Sequence, residues 1–195
     1  MPGTRTQPLL LARHGQTADN ADGLILGRRD PSLSELGRAQ ARALAVAARA
    51  AAIAAVWSSP MRRAHATAEI VAEATGAPLY VLDALAESDR GDWEGRPVAE
   101  LRRTEPERFA AFEAASDGFA FPGGESLAEQ VARTRRALDQ VVAGPQPAHV
   151  VAHVGTVRAA MLAVGRRPPA EADIAHAQII ELPWPVNSPA GQPPT

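Results

Sequence analysis

The sequence predicts an α/β fold: a three-layer sandwich with a mainly parallel central sheet, helices on both faces, and a small inserted helical lobe. Three observations carry this expectation. Short runs rich in apolar and β-branched residues recur at 9–12, 53–57, 79–82, 149–152 and 178–182, each too sharply bounded for a helix. Longer stretches with apolar residues at helical spacing separate most of them. Between residues 83 and 124 the alternation gives way to a segment rich in glycine and proline.

Leu9 to Ala12 reads as a buried strand that ends at Arg13–His14–Gly15. Ser34 caps a helix running to about Ala52, with Leu36, Ala39, Ala43, Leu44 and Val46–Ala47 as its apolar face. Ile53 to Trp57 is a second strand. Pro60 suits the first turn of the next helix, which ends before Gly76. Leu79 to Leu82 is a third short strand. In the lobe, short helices are expected near Val98–Arg103 and Pro106–Ala115. Ser126 to Val142 is a long helix, closed by a turn at Gly144–Pro145. A strand at His149–Ala152, a helix at Thr156–Val164 and a last strand at Gln178–Leu182 complete the order. The expectation is one domain over residues 1–182, with the lobe at about 83–124. Residues 183–195 read as a proline-rich, disordered tail.

Composition narrows the function classes. There is no cysteine among the 195 residues, which excludes a disulfide scaffold, a thiol nucleophile and a zinc ribbon. All 20 basic residues are arginine, so Schiff-base catalysis and a lysine-containing P-loop are excluded as well. A formal net charge of −2 provides no basic field for nucleic acid. No apolar run approaches the roughly 18 residues that span a bilayer, and Leu9–Ala12 is too short for a signal-peptide core. The expectation is a soluble, cytoplasmic protein with no nucleic-acid or membrane partner. Monomer and homodimer are both left open.

The chemistry gathers at strand ends, where ligands bind in sheets of this kind. Arg13–His14–Gly15–Gln16–Thr17 follows the first strand, and His153 follows the fourth. Arginine grips phosphate oxygens through a forked pair of donors, and a neutral imidazole is a competent nucleophile toward phosphorus. The five-residue string resembles the signature of the histidine phosphatase superfamily, in its phosphoglycerate mutase-like branch. Further blocks follow in family order. These are Asn20, Gly27 to Gly37, Ser58 to Ala64 with Arg63, Glu87 to Gly95, Pro122 to Ser126, and Val150 to His153 with Gly155 and Arg158.

The resemblance implies a phosphomonoester hydrolase that works through a phosphohistidine on a small phosphorylated metabolite, without cofactor or metal. It implies catalytic roles for His14, Glu87, His153, Arg13 and Arg63, and substrate contacts from Asn20, Thr17, Gly27 and Val154. Glu87 would donate a proton to the leaving group, kept protonated by burial or by the phosphate dianion. Two alternatives stand beside it: phosphoglycerate mutase-type transfer, and an inactive phospholigand-binding module. The short lobe argues against the first, and joint retention of nucleophile, acid and arginines against the second. Val154 stands where the family more often has glycine, and would narrow the pocket mouth. Arg90 stands where relatives are often apolar or aromatic; contact with an anionic substrate and a place in solvent are the two readings, and solvent is favoured. Trp93 reads as packing, His65 as a surface or packing residue, and His176 has no motif around it. His149 and His153 have the spacing of a helical metal pair. In a strand they lie roughly 13 Å apart, too far to share an ion.

Overall fold

Alternating side-chain direction along strands buried on both faces builds two apolar layers, one on each side of a single sheet. The structure is a computed structural model that describes residues 6–186. Its five strands are β1 (Thr6–Arg13), β2 (Ala55–Ser58), β3 (Leu79–Val81), β4 (Ala148–Ala152) and β5 (Ile179–Pro185), ordered β3-β2-β4-β1-β5. All neighbours pair in parallel except β5, which runs antiparallel to β1 at the edge. Leu9, Leu11, Trp57, Val150 and Ala152 face one layer; Ala12, Val56 and Val151 face the other.

Helices α2 (Glu35–Ala50) and α3 (Arg62–Thr75) supply the second layer through Leu44, Ala45, Ala48, Ala68 and Val71. Helices α6 (Leu127–Ala143) and α7 (Val154–Ala163) supply the first through Leu138, Val141, Val157 and Ala160. The sandwich therefore agrees with the sequence. No helix among the described residues is long and apolar enough to cross a membrane.

The lobe lies between β3 and α6. It contains α4 (Val98–Thr104) and α5 (Pro106–Glu113), preceded by the four-residue helix α1 (Ala18–Ala21) much earlier in the chain. Its core is aromatic: Trp93 packs against Phe109, Phe112, Phe119 and Phe121 with ring centroids 5.6–6.0 Å apart. Trp93 is thus a packing residue.

Three local expectations are corrected. Leu36 and Val46 are 54% and 71% exposed, and the buried face of α2 is Gly37, Ala41, Leu44, Ala45 and Ala48. Alanine occurs on several faces of this helix, so composition could not select the buried one. Pro60 lies outside α3, which begins at Arg62. The Arg62 amide is bound by Asp30 Oδ2 at 2.9 Å, a cap contributed by a distant loop. The last strand does not stop at Leu182 but runs to Pro185. Trp184 is fully buried there, and its indole N–H donates to Asp139 at 2.9 Å. The expected disorder therefore does not hold for residues 183–185, and residues 187–195 of that segment lie outside the described residues.

Candidate active site

Two parallel neighbours, β1 and β4, end in register at Arg13 and Ala152, so the next residue on each is a histidine at the same sheet edge. The His14 amide donates to the Ala152 carbonyl at 2.9 Å, and the His14 and His153 rings lie 5.3 Å apart, edge to face. Both side chains are buried. The loop after β1 can turn beneath them because it crosses α2 backbone to backbone: a Cβ on Gly15 would collide with the Gly37 carbonyl.

The hydrogen-bond network sets the tautomer of His14. An arginine Nε always carries a proton, and Arg63 Nε donates to His14 Nε2 at 3.1 Å. The Nδ1 nitrogen faces the Gly15 carbonyl at 2.7 Å and so carries the ring proton. His14 is a neutral imidazole with its lone pair on Nε2. Burial, then the neighbouring His153, Arg63 and Arg13, hold it well below the ordinary histidine range. His153 is likewise kept neutral, first by burial and then by Arg63, Arg90 and Arg13. Its Nε2 lies 2.8 Å from Ser59 Oγ, which already accepts from the Met61 amide. The His153 Nδ1 is buried with no hydrogen-bond partner.

Arg63 is 1% exposed and fully engaged: Nη1 donates to the Arg29 carbonyl at 2.6 Å and Nη2 to the Gly27 carbonyl at 3.0 Å. Burial lowers it to about 10, which leaves it cationic at neutral pH. Arg13 donates through Nη1 to the Ile174 carbonyl at 2.8 Å, and its Nε is buried without a partner.

Glu87 lies in the same cavity, which has a volume of about 310 Å³. Burial pushes its carboxyl up, but Arg90, the Ser88 amide, Arg63 and the Gly155 amide outweigh it, and the carboxyl sits below its ordinary value. Burial by itself does not protonate Glu87. Arg90 is the main reason, and its expected place in solvent is wrong. It is 3% exposed, 3.4 Å from Glu87, paired with Glu171 at 2.5 and 3.0 Å, and stacked over Phe112 and Phe121. The Gly155 amide, 3.2 Å from Glu87, is at the first turn of α7, and only a glycine leaves room for the carboxylate there.

The sequence profile of the histidine phosphatase superfamily (branch 1) matches residues 9–185. The chain belongs to that family. A bifunctional protein of Mycobacterium tuberculosis is 40% identical over 159 residues, which is 80% of this chain and 43% of that protein. The chain thus spans under half the length of that relative. A glucosyl-3-phosphoglycerate phosphatase of the same species is 35% identical over 175 residues, 84% of this chain and 78% of that protein. The solved structure of a mycobacterial glucosyl-3-phosphoglycerate phosphatase complexed with VO3 superposes with a TM-score of 0.79 at 33% identity, covering 90% of each chain.

In this member of the histidine phosphatase superfamily, His14, Arg13, Arg63, Glu87, Asn20 and Val154 line one cavity, with fully buried His153 against His14. Thr17 and Gly27 do not line it. Thr17 is the N-cap of α1, exchanging hydrogen bonds with Asn20, and Gly27 contributes its carbonyl to Arg63. Both support the site from behind. The Val154 side chain is buried and lines the cavity at the start of α7.

His149 belongs to β4 and is completely buried, while His65 is partly exposed beside Glu69. Among the described residues, no three histidine or carboxylate side chains gather as metal ligands. Sequence reasoning missed His176, Arg90 and Glu171. His176 lies in the loop before β5, its ring 5.6 Å from His14 and its Nδ1 3.1 Å from the His14 carbonyl. No local motif marked it, because its neighbour in space is 162 residues away.

Proposed function

We propose that the protein is a phosphomonoester hydrolase that carries the phosphoryl group through His14. The observation that carries this reading is the orientation of His14. A neutral imidazole has its lone pair on Nε2, its proton tied to the Gly15 carbonyl, and an arginine N–H beside the reacting nitrogen. The named phosphatases among its relatives support the same reading.

In the first step the Arg63 Nε–H leaves the His14 Nε2 lone pair for a phosphate oxygen, the freed lone pair attacks phosphorus, and the bond to the alcohol oxygen breaks. Arg13 and Arg63, with the His153 ring against His14, are the donors for the equatorial oxygens, whose charge grows in the transition state. Glu87 gives its proton to the departing alkoxide. In the empty site Glu87 is held ionised, so the proton must arrive with substrate. A phosphate dianion beside the carboxylate offsets Arg90 and makes protonation favourable. In the second step water attacks the phosphohistidine, Glu87 takes its proton, and the P–N bond breaks to release inorganic phosphate and free His14. Arginines and imidazole supply all the charge stabilisation, so the scheme requires no metal.

The test is chemical trapping. Rapid quench with a ³²P-labelled ester should leave one base-stable, acid-labile label, as the Nε2-phospho isomer of His14. His14→Ala should lose both label and turnover, and chelators should change neither in the parent. Turnover by His14→Ala at near the parental rate would overturn the reading.

A further inference from the structure

The cavity lining combines two chemistries. Arg13, His14, Arg63 and His176 form one polar cluster. Leu24, Val98, Phe109 and Phe112 contribute a carbon wall. This wall is built before any ligand arrives. The 23–25 segment is stitched to residues 95–98 by backbone bonds from Ile25 to Arg96 (3.0 Å), Gly95 to Ile25 (2.7 Å) and Val98 to Gly23 (2.9 Å). Phe109 and Phe112 belong to the aromatic core of the lobe.

The other lining cations are already paired. Arg102 pairs with Glu113 at 2.8 Å, and Arg90 is held by Glu171 and Glu87. Three carboxylates, Glu87, Glu113 and Glu171, line the cavity. Among the described residues, Arg13 is the lining arginine with no carboxylate within ion-pair distance, and it belongs to the polar cluster. Asn20 has its side-chain oxygen turned back to Thr17.

We propose that the leaving group this site selects is a neutral, largely apolar alcohol, and that phosphorylated carboxylic acids and polyols are disfavoured. The proposal rests on the phosphatase reading above. A second carboxylate on the substrate would meet Glu113 or Glu171 with no free cation to receive it. A polyol would bury hydroxyls against Leu24, Val98 and two phenylalanines, and the carboxylates that could accept from them, Glu113 and Glu171, are already held by Arg102 and Arg90. An apolar group removes that carbon surface from water.

Three primary alkyl esters of similar intrinsic reactivity test it: 3-phenylpropyl phosphate, its para-carboxylate, and glycerol 3-phosphate. The kcat/KM of the first should exceed that of each other ester by more than about fivefold, the scale on which a pocket discriminates one small group. Glu113→Gln should narrow the gap to the carboxylated ester. A ratio of about fivefold or less in either comparison, or a carboxylate gap unchanged in Glu113→Gln, overturns the proposal while hydrolysis itself upholds the phosphatase. Absence of hydrolysis of all three esters together with an unlabelled His14 overturns the phosphatase reading, and the proposal with it.

Discussion

Replacing Arg63 by methionine keeps much of the stem and removes the guanidinium. The structure defines what is lost: the Nε bond to His14 at 3.1 Å, the bonds to the Arg29 and Gly27 carbonyls at 2.6 and 3.0 Å, and the ion pair with Asp30 at 3.4 Å. A hydrogen bond from a charged donor contributes about 1.5–3 kcal/mol, and a buried acceptor left bare costs about 1–3 kcal/mol. Relief from burying the cation offsets part of this. The expected loss of folding stability is about 2–4 kcal/mol, read by urea unfolding.

The loss of activity has a separate origin. Arg63 Nε faces the nitrogen that receives phosphorus, so it is placed to stabilise charge that appears only in the transition state. Removing one such donor costs about 10²–10³-fold in kcat, read as the rate of His14 labelling in rapid quench. Arg63→Lys should fall between the two, because it keeps the charge but loses the fork that holds both carbonyls. A folded Arg63→Met with kcat/KM within about threefold of the parent would refute the assignment and leave Arg63 as a structural clamp for the 27–29 loop.

Two further outcomes are expected. Glu87→Gln should reduce kcat/KM for alkyl phosphates by about 10²–10⁴-fold and for 4-nitrophenyl phosphate far less, because nitrophenolate departs without a proton; equal losses would assign Glu87 a positioning role. Burial lowers His149 from 6.5 to about 4, so between those pH values the unfolded chain binds a proton that the native chain refuses. Its contribution to stability is present above pH 6.5 and is lost as pH falls toward 4, by roughly 3 kcal/mol. His149→Leu should flatten the decline of unfolding free energy over that window, while His14 and His153 sustain the rest; an identical slope in variant and parent would sink the argument.

Much of the site was legible because it depends on local chain order. His14 and His153 each follow a strand, and parallel neighbours place such residues at one sheet edge whatever the intervening loops do. Arg63, Glu87 and Asn20 were legible only through the spacing of whole blocks. Thr17 and Gly27 show the limit of that method: a motif marks where a residue stands, but the direction of its side chain or carbonyl depends on what packs behind it.

The sequence by itself determined the layer order of the sandwich, the strand-end position of both histidines and the absence of thiol and lysine chemistry, since these follow from periodicity and residue identity. Tertiary structure decided the rest. Arg90 is buried because Glu171, 81 positions later, folds back to meet it. Residues 183–185 are ordered because β1 offers an open edge and Asp139 a partner for Trp184. Glu87 is ionised because Arg90 and the amides of Ser88 and Gly155 surround a carboxyl whose burial would otherwise protonate it. Each of these is a balance between burial and a charge or edge contributed from far along the chain, and such a balance exists only once the chain has folded.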